Sequence, residues 1–168
     1  MLKDALLITL FPAAMAFAAA TDLITMTVPN RIAIVLVAGF FVMAPVAGLG
    51  LGEIGVHLLV GLAALLIGFG CFAMGWIGGG DAKLFAATAL WMGPELIFAY
   101  SLTTALIGGA LTLLILLWRG MPLPVAFAGQ NWIVRLHDAK TGVPYGIALA
   151  AAGLLAYPET AFMAAVGH

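Results

Sequence analysis

The chain has 168 residues, of which 65% are hydrophobic and only 8% charged. A soluble globule of this size carries about a quarter charged residues, so the composition predicts an integral membrane protein, organised over 1–168 as one polytopic domain. The net charge of −1 provides no basic footprint for nucleic acid, and the single cysteine, Cys71, excludes both an intrachain disulfide framework and a Cys-rich zinc site.

Polar punctuation divides the chain into six apolar stretches, approximately Ala5–Thr21, Ile32–Leu49, Val56–Met74, Leu84–Met92, Leu96–Trp118 and Val143–Tyr157. Most are long enough to cross about 30 Å of hydrocarbon as a helix. The expected fold is therefore all-α, with about six transmembrane helices. The breaks then alternate between two sides. One side receives Arg31, Lys83, Arg119, Arg135 and Lys140, five of the six basic residues. The other receives Lys3 with Asp4, Glu53, Glu95 and Glu159. Basic residues mark the cytoplasmic side, so both termini are expected outside. Lys3, the apolar run and Ala16-Phe17-Ala18 also look like a cleavable secretory signal, but cleavage would reverse this charge pattern.

Two aspartates stand at breaks on the basic side. Asp22 precedes Leu-Ile-Thr-Met-Thr-Val-Pro29-Asn30, and Asp81 lies in Gly78-Gly79-Gly80-Asp81-Ala82-Lys83. A carboxylate at the edge of a lipid-embedded segment is costly, so each is a candidate functional group. The plain alternatives are an N-cap for Asp81 and a water-facing helix end for Asp22. From Asp81 to Glu95 a helix rises only about 21 Å, which places Gly78–Asp81 either in a thinned membrane or recessed in a cavity between helices. Three glycines exceed what a cap requires, and they allow positive φ and close approach of another chain.

Other chemistries have little support. The only serine, Ser101, and Cys71 both lie in apolar stretches without a histidine nearby in sequence. His57 and His168 fall on the outer side, and no His-Glu-x-x-His motif occurs. His57 is expected at the membrane interface, and His137-Asp138 as an exposed loop dipeptide. In the 119–142 segment, Trp132, Ile133 and Leu136 recur at helical spacing. That pattern predicts a short cytoplasmic-side helix in the interface, or a lid. Gly48-xxx-Gly52 and Gly75-xxx-Gly79 are weak candidates for close helix contact.

Asp22 followed by Pro29-Asn30, with Gly78-x-Gly80-Asp81-x-Lys83 two crossings later and Val143-Pro144-Tyr145-Gly146 before the last helix, resembles the type IV prepilin peptidases, which are GxGD membrane aspartyl proteases. The resemblance implies that Asp22 and Asp81 are the catalytic pair. It also implies that Gly78, Gly80, Lys83, Pro29, Asn30 and Pro144 shape the site or meet substrate, and that no cofactor or metal is needed. The implied partners are a pilin-like precursor, which loses its basic leader at the cytoplasmic face of the bacterial inner membrane, and membrane lipid. Longer members also methylate the new N-terminus, using a region with paired cysteines. The lone Cys71 argues against methylation here. The compact form is similar to the peptidases of Flp-type (tight adherence) pili. A transporter or channel subunit binding a cation at Asp22 and Asp81, or a non-catalytic assembly factor, is the alternative reading.

Overall fold

The structure, a computed structural model, describes residues 1–127 and 129–167, so His168 lies outside the described residues. All regular structure in the described residues is helical: α1 (Leu2–Thr25), α2 (Asn30–Val46), α3 (Leu51–Ala73), α4 (Gly79–Arg119), α5 (Asn131–His137), α6 (Gly146–Ala156) and α7 (Ala161–Ala164). By length and composition α1, α3 and α4 can each cross a membrane, and α2 and the 146–159 run are shorter apolar helices.

α4 is two arms rather than one rod. Gly93 has φ 64° and ψ −173°, outside the helical region and open to glycine alone, and Pro94 follows without an N–H to continue the ladder. The chain reverses there. Phe85 and Tyr100 stack with ring centroids 5.7 Å apart, whereas a straight helix would separate them by about 22 Å. The 79–92 and 94–119 arms therefore run antiparallel, at the break between Leu84–Met92 and Leu96–Trp118 in the sequence.

Each helix buries a stripe at helical spacing. On α1 it is Leu7, Phe11, Met15, Ala18 and Asp22, so the first aspartate continues the core-facing row. On α3 it is His57, Gly61, Ala64 and Gly68, a seam of small residues. A Cβ on Gly68 would stand 3.2 Å from that of Ala82, which shows how closely α3 and the 79–92 arm approach. This seam, and not the Gly48 or Gly75 patterns, makes the tight helix contact. Gly48 and Gly75 instead have positive φ in turns. Trp91 sits at the centre of the bundle, its indole N–H donating to the Leu36 carbonyl at 3.0 Å and its ring packed on Phe11 and Phe162. Outward faces carry Leu59, Leu66, Phe69, Leu113 and Leu117 in exposed positions. The helices are thus apolar all round, and shape rather than polarity separates inside from outside.

Two expectations are revised. His57 is buried rather than interfacial, at 7% exposure: its Nδ1 lies 2.6 Å from the Leu90 carbonyl oxygen and its ring stacks on Phe40. α3 also begins at Leu51, ahead of the expected Val56. Glu53 at its third position accepts the Gly50 N–H at 2.6 Å and so extends the helix backwards.

A methyl group on Gly93 would stand 2.6 Å from His57 Nε2, and the His57 ring is fixed between its hydrogen bond and Phe40. Gly93→Ala is expected to cost at least about 2 kcal/mol, from positive-φ strain with the clash added. Gly109→Ala, which meets nothing within 4 Å, should be near neutral. Thermal unfolding in detergent, followed by tryptophan fluorescence, compares the two.

Candidate active site

The reversal at Gly93 brings the ends of α1, α3 and the second arm together with the starts of α2, α4 and α6. After Asp22 the chain turns sharply. Met26 adopts the left-handed conformation (φ 56°) with its N–H on the Asp22 carbonyl at 2.8 Å, and Val28 is buried. Pro29, with φ −62° and ψ 138°, is the N-cap of α2 and starts that helix at Asn30. From the other side, Gly78 is the N-cap of α4, which places Asp81 at the third helical position rather than at the cap.

Asp22 and Asp81 face one cleft of about 280 Å³, lined also by Val28, Asn30, Gly78 and Gly80. Asp22 is 4% exposed, so the water-facing alternative for it fails. Its Oδ2 accepts the backbone N–H of Gly146, the first residue of α6, at 2.7 Å. Asp22 occupies the last turn of α1, where exposed carbonyls disfavour negative charge. The N-terminus of α6 supplies the opposing partial positive charge. Asp81 lies in the first turn of α4, whose dipole favours a carboxylate. A second cavity of about 630 Å³ lies on the other side of Asp81 and is lined by Trp76, Thr112, Gly142 and Tyr145.

The glycines have separate roles. A Cβ on Gly80 would meet the Val28 backbone, 3.1 Å from its oxygen and 3.3 Å from its nitrogen, so only glycine lets α4 start against the 27–30 turn. On Gly78 it would lie 3.0 Å from Asp81 Oδ2, in the space the carboxylate uses. On Gly146 it would lie 2.8 Å from Asp22 Oδ2 and 2.9 Å from Val28 Cγ2. The Nζ of Lys83 donates to Asn30 Oδ1 at 2.9 Å and ties the start of α4 to the start of α2. Pro144 is fully buried and does not line the cleft. Tyr145 lines the second cavity with Asp81.

The 119–142 segment is held by Arg119. Its guanidinium donates to the Leu136 carbonyl (2.8 Å), the Thr141 carbonyl (3.2 Å) and hydroxyl (3.1 Å), and the Gly142 carbonyl (2.9 Å). α5 occupies the expected place, with Ile133 buried, and Arg135 donates to the Ile24 carbonyl at 3.4 Å. Of the expected exposed loop pair, Asp138 is exposed and follows α5, whereas His137 is half-buried as the last residue of that helix. Its Nε2 lies 2.8 Å from the Met121 carbonyl oxygen, and its ring packs edge-on against Trp118. Sequence reasoning singled out Asp22, Asp81 and the glycines. No sequence signal marks Arg119 as holding the 136–142 segment, and the signal for Tyr145 and Gly146 is their place in Val143-Pro144-Tyr145-Gly146. Among the described residues no group of three or more His, Cys, Asp or Glu side chains gathers as a metal site.

Two carboxylates across one cleft, at the end of a bundle with three membrane-length apolar helices, define a membrane-type helical protein built around an acid pair. The chain belongs to the type IV leader peptidase family, whose model matches residues 9–114. The match runs from α1 into the second arm of α4 and includes both aspartates. Membership makes the chain a protease-type hydrolase with prepilin-type substrates in general. No curated protein and no solved structure matches it.

Removing the Arg119 side chain leaves four acceptors without a donor. Arg119→Ala should raise amide exchange across residues 136–142 by about tenfold or more while helix content is kept. Hydrogen-exchange mass spectrometry in detergent reads this directly.

Proposed function

We propose that the protein is a membrane aspartyl endopeptidase that removes the leader peptide from type IV, Flp-like pilin precursors at the cytoplasmic face of the bacterial inner membrane. In this reading the whole chain is one polytopic domain with six membrane passages and both termini outside. The observation that carries it is the single cleft shared by Asp22 and Asp81 in a chain of the leader peptidase family. The sidedness rests on charge: Arg31, Lys83, Arg119, Arg135 and Lys140 belong to the cleft end of the bundle, and basic residues are retained in the cytoplasm.

The chemistry is water attack assisted by an acid and a base. Two carboxyl groups facing one cleft share a proton, because both cannot easily be ionised together. The ionised one takes a proton from a water molecule, whose oxygen attacks the carbonyl carbon of the scissile peptide bond. The protonated one gives its proton to the carbonyl oxygen, and collapse of the tetrahedral intermediate passes a proton to the leaving nitrogen. No acyl-enzyme forms, and no metal or cofactor takes part. The pair titrates as a unit, so the two roles belong to the dyad. Gly78, Gly80, Pro29, Asn30, Lys83 and Pro144 shape the cleft without touching the proton transfers.

A precursor-processing assay tests the reading. A pilin-like precursor is co-expressed with wild type, Asp22→Asn and Asp81→Asn, and its size is followed on a gel. Each substitution should lower cleavage by at least about a thousandfold, the scale of general acid–base assistance, at equal membrane levels of enzyme. Substantial turnover by Asp81→Asn would sink the dyad. Gly80→Ala, which presses on the Val28 backbone, should lower kcat/KM by about a hundredfold, as misplacement of a catalytic group by about 1 Å does.

A further inference from the structure

Tyr145, the N-cap of α6, is linked to both acids. Its side chain lines the second cavity with Asp81, and its carbonyl carbon carries the nitrogen of Gly146, whose N–H Asp22 accepts at 2.7 Å. Gly146 is the first residue of α6, where no carbonyl of the same helix can reach its N–H. The placement of that one rigid peptide plane therefore decides whether Asp22 keeps its donor.

The Tyr145 ring is seated on the second arm of α4. Thr104, Gly108 and Thr112 recur every fourth residue and so share one face of that arm. Thr112 lines the cavity with Asp81 and Tyr145, the Thr104 carbonyl accepts the Tyr145 hydroxyl at 3.4 Å, and Gly108 lies buried between them. A Cβ on Gly108 would overlap Cε2, Cζ and Oη of Tyr145, so the ring fills the place of the missing side chain. At 3.4 Å the hydroxyl contact is longer than an ordinary O–H···O bond, and the seat on Gly108 is what fixes the ring. The backbone on either side has little slack. Pro144 is fully buried with its φ locked, and a Cβ on Gly146 would stand 2.8 Å from Asp22 Oδ2 and 2.9 Å from Val28 Cγ2. A displaced ring thus shifts the Tyr145–Gly146 peptide plane.

We infer that Tyr145 is a positioning residue: its ring, seated on Gly108 of the second arm, holds the Gly146 N–H on Asp22 and so sets where the Asp22 carboxylate stands in the cleft. The inference rests on the peptidase reading and adds to it a contact, outside the cleft, that governs turnover.

The test pairs a kinetic readout with a spectroscopic one. In Gly108→Ala the ring must retreat by about 1 Å to restore ordinary contact, and misplacing a catalytic group by that much lowers the rate by about a hundredfold. Precursor processing should lose about a hundredfold in kcat, with KM within about twofold of wild type. Amide exchange at Gly146, read by NMR in detergent on protein carrying nitrogen-labelled glycine, should rise by about tenfold or more, while Gly153 in the middle of α6 keeps its rate. Gly109→Ala, one residue on and with nothing within 4 Å, should change neither readout. Tyr145→Ala should lose kcat and Gly146 protection together, and the conservative Tyr145→Phe, which keeps the ring, should restore both. Gly108→Ala added to Tyr145→Ala has no ring to push and should bring no further loss. Unchanged exchange at Gly146 in Gly108→Ala would overturn the inference. So would faster exchange at Gly153 as well, which is general loosening of α6, or a raised KM at unchanged kcat, which makes Tyr145 a wall for substrate. Additive losses in the double variant, or lost turnover in Tyr145→Phe, would overturn it too. Wild-type enzyme that cleaves no precursor would instead overturn the peptidase reading, and exchange at Gly146 would still decide the seat.

Discussion

The site depends on one backbone conformation. Gly93, at φ 64° and ψ −173°, turns the longest helix back on itself, and this reversal puts Asp81 and Thr112 beside the same cavity. Continued as a rod, α4 would carry Arg119 about 60 Å from its start. The 131–146 segment would then be far from Asp22. The reversal is enforced from three directions: Pro94 removes a ladder donor, His57 fills the space a side chain would need, and Phe85 stacks on Tyr100 across the two arms. His57, the one buried histidine among the described residues, is therefore committed to the fold and not to chemistry.

Given that geometry, the cleft is assembled from helix ends. Asp22 at the last turn of α1 meets an unfavourable dipole, and the N-terminus of α6 answers it with the Gly146 N–H. That bond links residues 124 apart in sequence and draws the last helix onto the first. Asp81 has its own helix start. Backbone groups otherwise orphaned at helix ends thus serve the acids, which suits a low-dielectric setting where each unsatisfied group is costly.

The glycines and Arg119 keep this arrangement close-packed. Gly80 admits the 27–30 turn, Gly78 leaves room for the Asp81 carboxylate, and Gly146 fits between Asp22 and Val28. Arg119 binds four acceptors in 136–142 and so sets the entry of the chain into α6. The family match ends at residue 114 and does not reach this strap, although the strap delivers the N–H that Asp22 accepts.

The sequence by itself determined the helical apolar class, the five main breaks and the two aspartates, because apolar runs and isolated charges are local signals. The break at Gly93 was legible as a polar gap between two apolar stretches, and the glycines around Asp81 as a request for close approach. α3 began earlier than expected because a side-chain cap at Glu53 overrode the apolar pattern. Only the tertiary structure decided that His57 is buried, that the tight helix contact runs along Gly61, Ala64 and Gly68, and that Gly146 and Arg119 serve the acid pair. The physical reason is the membrane-like composition itself. When every face of a helix is apolar, polarity no longer marks the inside, and which face packs is settled by the shapes of side chains brought together from distant parts of the chain.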